Sequence, residues 1–461
     1  MAGFRRSLWL RVPLGALALA AVAWLAWYGL ARWQLERTKD SLRAAGLPMT
    51  TEEVIPAPIP EDKNAASLLE RAEPMWIELK SRGDFVDARV GSSAPELAPE
   101  KFDQDRLAKL QAQMQRPDTQ ELFRLMQDAA RRPAAVFDRD YAKGAAMDIG
   151  PLNPLFSAVQ FFGTKAWLAA REGNQKDAAD DLLTVSRLAS FALRDVLLLG
   201  WIIGASFDQL SITSAQSVIA ELPPGSFRKQ DWQALDDSWA QHAAAARDNL
   251  VGSMDGERVL VAMWMLEQVI SGQLLLRQEV PKVINAWYPD ETGRVRWMTG
   301  FYETALAPLL VSDYAAYLRL MLSVRETVQN GRTGASAEES FARNVPGWAL
   351  IARKLASSYD GTRKLLEEYE VNLQLGRLGL ALEDFRSREG KYPATLPDLG
   401  LPEATITDPF TGQPFIYRTE GDNVLVYSVG FDREDDGGVP RASGGRRDLV
   451  WRIERDEVGH E

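Results

Sequence analysis

The chain has 461 residues, 46% hydrophobic and 25% charged, enough apolar material for two or three domains and too much for a disordered polymer. A net charge of −11 excludes nucleic acid as a natural partner, because its phosphates would be repelled. With no cysteine and only two histidines, His242 and His460, disulfides, thiolate nucleophiles and histidine-cluster metal sites are also excluded, leaving carboxylates, hydroxyls, Lys, Arg and backbone groups to carry any chemistry.

In chain order, the first element is VPLGALALAAVAWLAWYGLA, residues 12–31, about twenty uncharged residues and so long enough to cross a lipid bilayer as a helix. Trp24, Trp27, Tyr28 and Trp33 crowd one end, as an interfacial aromatic belt would. A cleaved signal is the alternative, with Gly29 and Ala31 as the small residues before the cut. Arg5, Arg6 and Arg11 precede the span, and Arg32, Arg37, Lys39 and Arg43 follow it. A short basic tail before a single span places the N-terminus in the cytoplasm and exports the rest. Residues 1–34 are therefore expected to be tail and anchor, and 35–62 a stalk followed by a Pro-rich, acidic linker.

Apolar residues three and four apart then predict an α-helical domain over 63–358. Its clearest unit is a helical hairpin, with Gly173 closing one helix and Asn174 capping the next, Asp177 adding a capping-box signal. Asp177, Asp180 and Asp181 read as a solvated first turn. VLLLGWIIGASF, bounded by Asp195 and Asp208, is apolar on every side and too short to span a membrane, so it predicts a buried helix. His242 is expected on the surface of an alanine-rich helix. Glu267, among apolar neighbours, is expected to pair with Arg258 or Arg277. The aromatic stretch Trp287–Trp297 reads as a packed loop. SFRK at Ser226–Lys229, SDY at Ser312–Tyr314 and RTG at Arg332–Gly334 only loosely echo a penicillin-binding motif set and are read as coincidence.

The last segment, 359–456, changes character. An amphipathic helix closes at Gly390, KYPATLPDLG and DPFTGQP follow, and FIYR, VLVYSV and DLVWRI predict a small antiparallel sheet. Asp408 reads as a turn residue that accepts local backbone hydrogen bonds. The whole chain is thus expected to be α+β: a transmembrane helix, a mostly α-helical middle domain, and a module of one long helix plus a small sheet.

That module resembles the C-terminal domain of the type II secretion system major pseudopilin. The resemblance rests on REGKYPATLPDL, DPFTGQPFIY, and YSVGFDREDDGG running to a final strand with Asp and Trp, in matching order over roughly the last ninety residues. With the linker IPEDKNAASLLERA and the hairpin AAREGNQKDAADDLL, the whole chain is similar to uncharacterised bacterial membrane-anchored proteins carrying that domain. The pseudopilin resemblance implies a structural calcium ion in the acidic loop. Asp432, Asp435, Asp436 and Asp448 would supply carboxylates, with carbonyls near Ser428 and Gly430, and Gly437 and Gly438 would permit the turn. A solvated acidic turn is the alternative. The N-terminus departs from a prepilin-peptidase site, since Gly3-Phe4 is followed by Arg5 and Arg6 and Leu8 stands where the family has Glu. The expectation is a non-catalytic, single-pass inner-membrane protein with its bulk in the periplasm, acting on envelope protein partners in secretion or pilus-like machinery. The alternative is an exported carboxylate-based hydrolase with its site in the helical domain.

Overall fold

Helix α1 (Ala2–Ala44) does not end with the apolar run that starts it. In the computed structural model, which describes residues 2–92, 96–148, 152–270, 306–330, 341–439 and 448–455, Leu17, Leu19, Val22 and Leu25 are 61–73% exposed. Beyond them Ala31, Leu35, Thr38 and Leu42 recur at helical spacing and are buried. Helix α1 is long and apolar enough to cross a membrane, and its last three turns are packed into the protein. The segment expected as a stalk is therefore part of the core. The linker is tied down too: Asn64 bonds in both directions to the backbone of Val136.

The helical body comprises α2 (Ala66–Ser81), α3 (Gln104–Met114), α4 (Pro117–Ala130), α5 (Leu152–Arg171), α6 (Gln175–Leu193), α7 (Leu198–Glu221), α8 (Lys229–Gly256), α9 (Trp264–Ile270), α10 (Ala307–Asn330) and α11 (Leu350–Glu389). The α5–α6 hairpin turns where its sequence signals stand: Gly173 has φ 79° and Asn174 Oδ1 accepts from the Asp177 N–H at 3.2 Å. Helix α7 is predominantly buried, as its all-round apolar sequence requires, with Trp201 and Phe207 inside. Trp167, Trp232 and Trp239 complete an aromatic-rich core.

Helix α11 starts at Leu350, ahead of the boundary at 359 expected for the last segment. The reason is a cap from another helix. Asp313 of α10 accepts the N–H groups of Ile351 and Ala352, each at 2.9 Å, so the first turn is satisfied without a local capping residue. Gly390, with φ 74°, ends it.

Strands β1 (Ile416–Glu420), β2 (Asn423–Ser428) and β3 (Leu449–Ile453) form an antiparallel sheet in the order β1-β2-β3. Its register pairs Val426 with Trp451 and Val424 with Ile453, and all four side chains are buried. Trp451 lies so close to α11 that a Cβ at Gly379 would fall 2.0 Å from the indole. The Arg452 N–H donates to Gln216 of α7 at 3.0 Å. The sheet is thus seated on the helical body as well as on α11, and α11 belongs to both. The described residues are mostly helical with a small antiparallel sheet, which is compatible with the expected α+β class.

Candidate functional site: a polar groove along α6

A buried polar cluster centres on Asp208, which is 0% exposed. Its Oδ1 accepts from Ser186 Oγ of α6 at 3.0 Å. Its Oδ2 accepts from Tyr369 Oη of α11 at 2.7 Å and meets His242 Nδ1 of α8 at 2.7 Å. Ser186 in turn meets Ser238 Oγ at 2.9 Å. Four helices are thereby joined through one carboxylate. Burial, then Asp208 itself, hold the Tyr369 phenol well above its ordinary pKa, so it remains a donor.

About one helical turn from Ser186, Asp181 forms the second buried anchor point. Lys165 Nζ of α5 contacts both of its oxygens, at 2.6 and 2.5 Å, and Gln127 of α4 donates at 3.1 Å. Burial pushes the Asp181 pKa up to about 6, and Lys165 pulls in the opposite direction. Its carboxyl side chain is 2% exposed, whereas that of Lys165 is 25% exposed.

These two points lie along one groove. A recess of about 550 Å³ has Arg131, Lys165, Asp177, Asp180 and Asp181 in its walls. A neighbouring recess of about 360 Å³ has Arg194, Ser190, Ser238, Asn249 and His242 in its walls, and Arg187 borders both. The second recess has no carboxylate in its lining. Among the described residues neither Arg187 nor Arg194 forms an ion pair; Arg194 bonds only to Ser190. Two guanidinium groups, two amides and two hydroxyls therefore line the second recess without a carboxylate, while Arg187 also borders the first recess with Asp177, Asp180 and Asp181. His242 presents its ring to the same space, with Nδ1 fixed by Asp208. A larger recess, about 860 Å³, lies between α7, α11 and β3, but most of its polar lining is uncharged, including Ser206, Gln209, Thr213 and Asn372.

His242 is 7% exposed, which corrects its expected surface position. The alanines around it let α8 pack closely, and its partner lies 34 residues away in the chain. Asp208 had a detectable signal, since it stands seven residues after Trp201, two helical turns on, among core positions of an apolar helix. Asp181 points inward to Lys165 rather than joining Asp177 and Asp180 at the surface. Glu267 pairs with Lys39 of α1 at 3.4 Å, while Arg258 turns to Asp255, which corrects Arg258 as the expected partner. Arg277 and the Trp287–Trp297 stretch lie outside the described residues, as does Arg332–Gly334. Glu257, which no sequence pattern singled out, is pushed up to about 7 by burial.

In the C-terminal loop, Asp435 Oδ1 accepts from Tyr427 Oη at 2.9 Å and from the Gly437 N–H at 2.8 Å. Asp448 accepts from the Gly438 N–H at 2.7 Å and, at 3.5 Å, from that of Asp436. Asp432 accepts from the Glu434 N–H at 3.2 Å. Ser428 donates to Asp408 at 2.9 Å and accepts from the Gly430 N–H at 3.0 Å. Asp408 also accepts from the Phe410 N–H at 2.9 Å, the local turn role expected of it. Asp435 and Asp436 lie near enough to Asp448 to add to the burial that raises its pKa. Even so, no three acidic or histidine side chains among the described residues are placed to hold a metal ion. Asp432, Asp435 and Asp448 each turn a carboxylate oxygen onto an N–H or O–H donor, whereas calcium draws such oxygens together around one point. The span 440–447, which closes this loop, lies outside the described residues.

No family model, no curated protein and no solved structure matches the chain.

Proposed function

We propose that the chain is a non-catalytic, membrane-anchored interaction protein that captures an acidic segment of a protein partner in the recess beside His242. In this proposal α1 crosses the inner membrane with the N-terminus in the cytoplasm, and the helical body stands on the periplasmic side. The carrying observation is the pair Arg187 and Arg194, set beside Asn249, Ser190 and Ser238 with no carboxylate in the recess. A recess lined by two cations that form no ion pair and by no carboxylate is suited to an anion brought from outside. The resemblance of the C-terminal module to the major pseudopilin directs the proposal to partners in secretion or pilus-like assemblies.

Titrating the detergent-solubilised full chain with a labelled hexaglutamate peptide, followed by fluorescence anisotropy, tests this. Saturable binding should weaken at least tenfold in Arg187→Ala/Arg194→Ala and weaken with salt. Equal binding by the double variant would remove the proposal.

One observation favours a second reading, a hydrolase. His242 Nδ1 is held by buried Asp208, the arrangement that orients an imidazole for acid–base work, and its ring borders the recess. Ser238 bonds to Ser186, so in this reading the imidazole would activate solvent water and not a serine. Turnover of p-nitrophenyl acetate that disappears in His242→Gln would favour this reading over the binding one; no turnover by the natural chain would exclude it for ester substrates.

A further inference from the structure

We propose that Trp348, Leu350 and Ile351 form a second membrane contact, so that the body lies on the bilayer crossed by α1 instead of being held clear of it. The inference rests on the anchor reading of α1 and concerns a different part of the chain.

The contacts between helices fix where these residues stand relative to the apolar run. Along α1, Lys39 lies 5.4 Å from the Tyr314 ring and Thr38 accepts from Arg319 at 3.3 Å. Farther on, Pro48 and Met49 are held by Arg258, whose partner Asp255 is shared with Arg325. Residues 38–48 therefore run alongside residues 314–325 in the same direction, so α10 climbs away from the apolar run as α1 does. Helix α11 climbs with them: Asp313 caps Ile351 and Ala352, and Tyr317 meets Tyr359 at 3.2 Å. Counting back from Thr38 and Lys39 puts Asp313 level with about residue 35 of α1. The first turn of α11 thus lies within about two turns of Trp33, at the end of the apolar run.

At that level the surface is unlike a solvated one. Trp348 is 44% exposed, Leu350 56% and Ile351 36%, and Trp33 on α1 is 56% exposed. Arg343, Arg353 and Lys354 are exposed around the patch, and Arg32 and Arg37 are exposed beside Trp33. Apolar and aromatic side chains ringed by arginine and lysine match the bilayer interface, where rings sit among headgroups and cations meet lipid phosphates. This basic collar on a chain of net charge −11 is complementary to an anionic lipid surface. Its level, where the exposed apolar run of α1 ends, selects the bilayer as the occupant.

The absence of cysteine makes a direct test available. Single replacements Trp348→Cys, Leu350→Cys and Ile351→Cys in the full chain, labelled with the fluorophore NBD, are reconstituted in phosphatidylethanolamine–phosphatidylglycerol vesicles containing doxyl-labelled lipid. Leu19→Cys reports α1. Lys391→Cys, about 60 Å away past the other end of α11, reports solvent. The expected result is lipid quenching at 348, 350 and 351 of at least half that at 19, and none at 391. Quenching at 19 with the three patch positions behaving like 391 would overturn the second contact and leave the anchor standing. No quenching at 19 would overturn the anchor and this inference together.

Discussion

Two polar regions of this molecule solve the same problem in opposite ways. Asp208 gathers donors from residues 186, 242 and 369, on three other helices, whereas the loop after β2 satisfies its carboxylates mostly within a dozen residues. The first arrangement makes the helices depend on one another; the second makes one turn rigid and asks little of the rest. Buried polar groups that bridge distant elements carry a larger penalty when broken, because every donor left behind stays dry.

The most severe way to break this contrast is Asp208→Ala, which strands His242, Tyr369 and Ser186. It should cost about 3–5 kcal/mol in urea unfolding, and a loss below ~1 kcal/mol would show that the four helices do not share the hub. Gly379→Ala tests the seam between the two regions. Its methyl would strike Trp451, and a loss of about 1–3 kcal/mol is expected, with tryptophan emission reporting the displaced indole.

Asp181 sharpens the comparison through pH. Its pKa of about 6 in the folded chain lies above the ordinary 3.8, so the folded state holds a proton that the unfolded state has released between those values. Folded stability relative to Asp181→Asn should therefore fall by about 1–3 kcal/mol as pH rises from 4 to 6, then stay level. A difference flat across that window would remove the buried-acid description. In the loop, Asp448→Ala should cost only about 1–2 kcal/mol, the loss of its backbone acceptors.

The smallest expected effect concerns calcium. A calcium-binding loop would raise the melting temperature at millimolar calcium relative to chelator. The hydrogen bonds already closing the turn predict no shift, and a reproducible rise would instead establish the ion that the pseudopilin resemblance implies.

What could be read from the sequence follows the same division. Gly173, Asn174, Gly390 and Asp408 act on residues a few positions away, so their turns and caps were legible from local chemistry. The three strands were legible as β-branched and aromatic runs between turn residues. The start of α11 was not, because Asp313 supplies its cap from α10. Nor was the groove: His242 and Asp208 are 34 residues apart, and Lys165 and Asp181 sit on two helices whose facing sides no single-helix pattern specifies.

The continuity of α1 has a mechanical consequence. Between Gly15 and Ala44 the helix contains no break, and its final turns are clamped against α10 by Leu35, Leu42 and the Lys39 and Thr38 contacts. Such a helix is a lever with no joint between lipid and protein. If it crosses the membrane, a thicker or thinner bilayer that changes its tilt must swing the whole body by the same angle. Inserting two glycines after Arg32 would uncouple the two motions, turning a tilting platform into a tethered one.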